Sequence, residues 1–281
     1  MHCRAASLEE NVTPEEKFTL CVDKNIRRLG NDPDFRGLTN IWIRESIRYS
    51  YAQNFTWIGR PIIQVPQDIY AIQELIWKVR PELVIETGIA HGGSLILSAS
   101  MLAMLDYCDA VLADRPLWPK KSRRRVLGID IDIREHNRAA IENHPMASMI
   151  EMLQGSSIDP HIVSAVKERA SDFSCVMVFL DSNHTHDHVL AELDAYAPMV
   201  SEGSYCVVWD SGLEDLPEGF ITDRPWGKGN NPKTALFNYL KKIEGGRHLA
   251  SDGRQLKFEI DKEIENKIMI TASTDGFLRR V

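Results

Sequence analysis

Residues 82–94 read ELVIETGIAHGGS, an apolar run that passes through a turn of small residues into a segment with helical periodicity over 93–105. A strand joined to a helix by such a turn is the setting in which open α/β sheets bind nucleotides, at the carboxyl ends of their strands. A dinucleotide fingerprint needs glycine at positions 88, 90 and 93, but position 90 is Ala90, and no lysine follows the glycines as a P-loop requires. What remains is acid-x-Gly-x-Ala-x-Gly, carried by Glu86, Gly88, Ala90 and Gly92 and followed by Ser94.

Working outward, β-branched runs recur as LVIET from Leu83, VLGID from Val126, MIEML from Met149, CVMVFLD from Cys175 and SYCVVWD from Ser204. Between them, residues 93–105, 134–143, 158–169 and 189–196 have a 3.6-residue apolar period. Five apolar strands separated by helices predict an α/β fold: a mostly parallel sheet covered on both faces. KFEID from Lys257 and KIMITAS from Lys267, separated by KEIEN, predict a hairpin that adds antiparallel strands at the edge. Residues 1–75 show no strand series, and helical patterns over 14–29 and 68–79 predict an N-terminal helical cap or oligomer arm before a domain spanning 76–281. Residues 106–125 and 211–231 read as long irregular loops.

The composition fits a globular protein: 281 residues, 43% hydrophobic and 26% charged, with 17 Gly and 13 Pro. With 33 basic and 40 acidic residues the net charge is −7, which argues against nucleic acid as a partner. Five cysteines, at 3, 21, 108, 175 and 206, are odd in number and form no CxxC pair, so reduced thiols and a cytoplasmic setting are expected. The N-terminal MHCRAASLEENVTPEE has no apolar signal core, and the apolar stretch 94–105 is too short to span a bilayer, so no membrane insertion is expected.

The Glu86 to Gly92 pattern resembles the first motif of class I S-adenosylmethionine (SAM) methyltransferases, and later loops agree in order. The second strand ends at Asp130, placed to accept hydrogen bonds from ribose hydroxyls, with Asp132 as substitute. After the third strand, Gly155, Ser156 and Ser157 are small and polar, as the adenine edge requires. The fourth and fifth strands end at Asp181 and Asp210, where two carboxylates at adjacent strand ends can converge on one hard cation such as Mg²⁺; alternatively they only cap helices. His184, His186 and His188 alternate in the next loop. The strand-end acids resemble those of metal-dependent catechol-type O-methyltransferases, which place a general-base Lys three residues past the metal Asp; the resemblance implies His184 as catalytic base beside Asp181, the alternative being that it only bonds backbone, while His188 is expected to pack at the start of a helix.

Beyond these spacings, five ordered strings resemble the cephalosporin hydroxylase / rhamnosyl O-methyltransferase family. They are YAQNFTWIGRPIIQVPQD from Tyr51, VIETGIAHGGS from Val84, FLDSNHTHDHV from Phe179, RPWGKGNNPKTALFNYL from Arg224 and TASTDGFLRRV from Thr271. The resemblance implies a Rossmann-like class I methyltransferase fold, SAM as methyl donor, a divalent cation, and a homo-oligomer. It implies an O-methyltransferase acting on a hydroxyl of a sugar or specialised metabolite. Family members often carry Glu-Asp at the end of the fifth strand, both proposed metal ligands, whereas this chain has Trp209 and Asp210; the site would then hold Asp181 and Asp210, with Ser211 or water filling in. Trp57, Arg60 and Gln64 are placed to close over cofactor or substrate, or to pack the cap. Two rival functions stand beside this one: an iron oxygenase hydroxylating a β-lactam-like scaffold, and a non-catalytic SAM-binding subunit.

Overall fold

The computed structural model describes residues 12–281; the reading of the extreme N-terminus, Cys3 included, lies outside the described residues. Helix α1 (Pro14–Gly30) starts at a capping box in which Thr13 and Glu16 satisfy each other's backbone N–H, and α2 (Pro33–Arg48) starts on the Asp32 side chain. A short hairpin follows, β1 (Phe55–Trp57) paired antiparallel with β2 (Arg60–Ile62). Helix α3 (Pro66–Val79) leads into β3 (Leu83–Thr87) and α4 (Gly93–Leu112). The alternation continues through β4 (Arg125–Asp130), α5 (Glu135–Glu142), β5 (Ile150–Gln154), α6 (Pro160–Ala170), β6 (Val176–Leu180) and α7 (His186–Tyr196). It closes with β7 (Tyr205–Val208), α8 (Pro232–Ile243), β8 (Phe258–Ile260), α9 (Lys262–Ile268) and β9 (Phe277–Arg280).

The main sheet has the order β5-β4-β3-β6-β7-β9-β8, with β3 to β7 parallel and β9 antiparallel to both its neighbours. Successive side chains of a strand face opposite ways, so two cores form. Leu83, Ile85, Val178, Leu180, Cys206 and Val208 pack under α6, α7 and α8, while Val84, Met177, Phe179, Tyr205 and Val207 pack under α3, α4 and α9. Burial on both faces explains why these strands read as unbroken apolar runs.

Several boundaries differ from the sequence reading. The expected C-terminal hairpin is not tight: KEIENKI is helix α9, because Asp261 accepts hydrogen bonds from the backbone N–H of Glu263 and Ile264. The partner of β8 is FLRR at β9, which lies between β7 and the edge strand β8, not KIMITAS. Helix α4 extends to Leu112, which shortens the loop expected from residue 106. At 20 residues it is long and apolar enough to cross a membrane, yet Leu95, Ile96, Leu97, Leu102 and Leu105 are buried in this fold. The four described cysteines, 21, 108, 175 and 206, are free.

The chain reverses direction across the sheet at β3, whose neighbours are β4 and β6, and this switch point opens a crevice at the strand carboxyl ends. Register fixes what meets there. Thr87 pairs with both Ile129 and Leu180, and Leu180 with Val208, so Gly88, Asp130, Asp181 and the segment from Trp209 to Asp210 emerge side by side.

Gly88 has φ +88°, and an added Cβ would sit 2.1 Å from the Asp181 carbonyl oxygen. Gly92 has φ +83°, and its Cβ would meet Ile141 Cδ1 at 2.4 Å, in the core rather than in the crevice. Gly92, the last glycine of the turn motif, is thus required by its packing against α5. Gly88→Ala and Gly92→Val should each cost on the order of 2–4 kcal/mol in urea unfolding. Gly37→Ala, in α2 with no atom near its Cβ, should instead stabilise by about 0.5–1 kcal/mol.

Candidate active site

The turn after β3 is clamped on all sides. Asp130 Oδ2 accepts the backbone N–H of Ile89 at 2.8 Å and of Ala90 at 3.3 Å, and its Oδ1 accepts Asp132 N–H at 3.0 Å. Asn137 Nδ2 donates to the Ala90 carbonyl at 3.0 Å, and Arg60 donates to the His91 carbonyl at 3.0 Å through Nε and to Asn137 Oδ1 at 3.1 Å. These bonds hold Ala90 at φ +45°, an uncommon conformation for a residue with a Cβ. Of the three residues expected to close over ligand, Arg60 is thus a loop clamp, and Trp57 donates its indole N–H to Ser100 Oγ at 2.9 Å. Gln64 does line the cavity.

That cavity, about 520 Å³, joins the turn to the strand ends: Gly88, Ala90, Ser94, Asp130, Asp181, His184 and Asp210 all line it. Glu86 lies beneath it, buried, with Oε1 accepting the Ser94 hydroxyl and Oε2 unpartnered. Asp132 is exposed, faces Arg134 and is not among the residues lining the cavity. Gly155, Ser156 and Ser157 are not in the cavity wall. Ser157 is buried, its Oγ 3.1 Å from His188 Nε2, and its carbonyl accepts the Tyr196 hydroxyl at 2.6 Å.

Asp181, His184 and Asp210 converge: one ligand atom from each lies within 4.8 Å of the others. His184 Nε2 is 3.3 Å from Asp210 Oδ2, and the His184 ring packs edge-on against Trp226 at 4.8 Å. Asp210 has φ +55°, a left-handed turn that aims its carboxylate back over the sheet. Ser211 is corrected: it is fully buried and donates to the Thr274 carbonyl at 2.6 Å, so it cannot fill a ligand position. His184 stands in the cluster instead. His186 bonds Thr234 Oγ1 through Nδ1 at 2.8 Å, and His188 is held between Ser157 and Ser182, so only one of the three histidines faces the acids. One imidazole with two carboxylates is not the two-His, one-carboxylate set of an iron oxygenase.

Sequence reading missed Asp68, Asn137 and Trp226. The buried Asp68 lines the same cavity, with Oδ2 accepting Ala272 N–H at 3.0 Å. Its only sequence signal is a position inside an amphipathic helix.

The electrostatics match a site built for positive charge. Burial first, then the neighbouring Asp210, Glu86, Glu192 and Asp68 charges, hold the Asp181 carboxyl well above its usual range. Burial pushes Asp68 up to about 7, with the Asp210 charge adding, and pushes Glu86 up to about 8 against the Ser94 hydrogen bond. An ion-free cluster of this kind crowds acids together, and a divalent cation between Asp181 and Asp210 would relieve it; two carboxylates suit Mg²⁺.

Sheet order, switch-point cavity and clamped turn define a class I SAM-dependent methyltransferase. Residues 49–281 match the family model described as Rhamnosyl O-methyltransferase/CmcI, and the chain belongs to that family. It is 27% identical over 244 residues to the rhamnosyl O-methyltransferase of Mycobacterium leprae (strain TN), covering 85% of this chain and 90% of that one. It is 26% identical over 228 residues to the enzyme of the same name from Mycobacterium bovis (strain BCG / Pasteur 1173P2), covering 80% and 78%. Among solved structures it is similar to CalS11, a TDP-rhamnose 3'-O-methyltransferase, at TM-score 0.43 and 16% identity over 81% of this chain and 86% of that one. It is also similar to MycE from mycinamycin biosynthesis in complex with Mg and SAH, at TM-score 0.46 and 17% identity over 85% and 52%.

The raised carboxyls set a pH dependence. Each binds its proton more tightly folded than unfolded, so the stability it contributes is complete below the ordinary carboxylate range and is lost as pH rises through its folded pKa. Glu86→Gln should raise the Tm of the ligand-free protein at pH 8, by up to a few kcal/mol of stability, with the gain vanishing near pH 4.5. Thermal unfolding at both pH values checks this, and an equal gain at both would place the charge elsewhere.

Proposed function

We propose that this methyltransferase transfers the SAM methyl group to a hydroxyl of a sugar, with Asp181 and Asp210 holding Mg²⁺ and His184 taking the hydroxyl proton. The observation that carries the reading is the single cavity that joins the clamped turn to the Asp181, His184 and Asp210 cluster. The names of the curated relatives support a sugar, and rhamnose in particular.

When bound, SAM supplies an electrophilic methyl and the cation acidifies the acceptor hydroxyl. The chain's own residues do the rest. Ser94, Gly88 and Ala90 shape the methionine end, and Asp130 keeps acceptor capacity for the ribose. Asp210 orients the His184 imidazole, and Trp226 fixes its ring plane, so the base meets the acceptor oxygen as that oxygen bonds to the methyl carbon and the carbon–sulfur bond breaks. Gly155, Ser156 and Ser157 are proposed at the adenine edge, with Tyr196 and His188 positioning that loop. We further propose that the N-terminal region is a self-association arm ending before Pro66, since residue 75 lies within α3, which packs on the sheet. Exposed Phe18, Leu20, Leu38 and Ile41 on α1 and α2 support that role.

Asp210→Asn should cut turnover by orders of magnitude with SAM affinity nearly unchanged, and EDTA should mimic it. His184→Ala should lower the rate by about 10²- to 10⁴-fold and remove the acidic limb of the pH profile. A 14 Da gain on rhamnosyl acceptors, followed by mass spectrometry, reads all three. Full activity in EDTA with loss in His184→Ala would identify a metal-free variant in which the His184 and Asp210 pair acts alone; full activity in both would refute this site.

A further inference from the structure

The edge of the sheet away from the cavity carries a surface that methyl transfer does not use. Helix α4 starts beside the cavity, ends at Leu112, and is followed by a loop that enters β4 at Arg125, so this loop lies at the amino ends of the parallel strands. Met104, Tyr107 and Val111 recur at helical spacing on one exposed face of α4. Leu112, Leu117 and Trp118 follow, Leu112 at 84% and Trp118 at 63% exposure, and every residue from 111 to 121 is exposed. Apolar side chains grouped in water in this way mark an interaction surface.

The loop is held in place. Arg124 bonds Asp106 and, at 2.9 Å, Asp109, which ties the end of the loop to α4. The Lys121 N–H donates to the Trp118 carbonyl at 2.8 Å, and Pro116 and Pro119 restrict the backbone on either side of Leu117 and Trp118. Lys121 Nζ lies 5.5 Å from the Trp118 ring centroid.

Charge decides what this surface fits. Residues 111–123 carry Arg115, Lys120, Lys121 and Arg123, all exposed, against the single acid Asp114, in a chain whose net charge is −7. These four cations have no ion-pair partner among the described residues, whereas the neighbouring Arg124 and Arg125 are engaged within the fold. Nucleic acid would use the cations and leave Val111, Leu112 and Leu117 in water. An anionic bilayer uses both, taking the apolar and aromatic side chains into the headgroup boundary while lysine and arginine reach the lipid phosphates.

We propose that the carboxyl-terminal half of α4 and the loop over 113–123 dock this protein peripherally on an anionic membrane surface, with Leu112, Leu117 and Trp118 among the headgroups and Arg115, Lys120, Lys121 and Arg123 on lipid phosphates. Docking by this edge leaves the cavity, at the opposite edge, open to solvent. The inference is independent of the methyl-transfer reading. Its test is co-sedimentation of the full chain with vesicles of phosphatidylcholine alone or mixed equally with phosphatidylglycerol. Binding to the anionic vesicles should exceed binding to the neutral ones by about 10-fold or more, and should fall by a similar factor between about 0.1 M and about 0.5 M NaCl. Each cation at such a surface is worth about fivefold, so Lys120→Gln combined with Lys121→Gln should weaken binding by about 25-fold. Trp118→Ala should weaken it by about 10-fold. All three side chains are exposed, so the Tm of both variants should match the native protein. Equal binding to neutral vesicles, or variants that bind as the native chain does, would overturn the proposal. So would absence of binding to the anionic vesicles; if Trp118→Ala then dissociates a native oligomer in sedimentation velocity, the face belongs to a second copy of this chain.

Discussion

Crowding of carboxylates at one edge of a parallel sheet is the constraint on which the rest of this structure depends. Parallel strands in common register deliver the residues that follow them to one line, and here that line carries Asp130, Asp181 and Asp210, with Glu86 just beneath it and Asp68 on its flank. Burial raises the proton affinity of Asp68, Glu86 and Asp181, and neighbouring carboxylates add to it at Asp68 and Asp181. A fold that buries acids such as Asp68, Glu86 and Asp181 this close together gives up stability unless something positive joins them. Maintaining such a cluster costs stability, as expected of a functional site.

Trp209 stands just past the end of β7, where the family resemblance leads one to expect an acid, and it is packed into the core. The position follows the two-residue alternation of β7, so Trp209 faces the same core as Val207, where its ring meets Phe179 at 6.4 Å and Phe277 at 6.3 Å edge-on. An aromatic ring there strengthens the core under α3 and α4 and leaves Asp210 as the single acid that this strand end contributes. The neighbour of Asp210 in the cleft is His184, whose Nε2 lies 3.3 Å from Asp210 Oδ2.

The sequence disclosed the sheet well and its edges poorly. Doubly buried strands must be apolar along their whole length, so β3, β4, β6 and β7 are legible from composition alone. Strands β1, β2 and β9 are three or four residues long, below the length at which a period of two is distinguishable from chance. Helix α8 begins at Asn231, whose side chain caps Lys233 and Thr234, a signal present in NNPKTALFNYL but masked by the glycines before it. At the site, the strand-end acids were legible because strand ends are countable. Asp68, Asn137 and Trp226 were not, because they reach the cleft from elements whose packing on the sheet no local pattern specifies.

Asp130 illustrates why such residues matter. Read from position alone it is a ribose acceptor, yet in the structure it already accepts three backbone N–H groups, two of them from the turn that must be held open for the cofactor. A carboxylate has about four lone-pair sites, so the two uses are compatible only if the third and fourth bonds are shared between backbone and hydroxyl. The acid therefore acts first as a staple, setting the turn conformation that Gly88 and Ala90 adopt at positive φ, and the ribose proposed for it would meet a geometry already fixed. Such preorganisation lowers the ordering cost of binding. It also means that removal of Asp130 would release the loop, so loop and ligand effects separate only in a variant that keeps the turn contacts, as Asn would for the Ile89 and Ala90 N–H groups through its one acceptor oxygen while giving up the Asp132 contact.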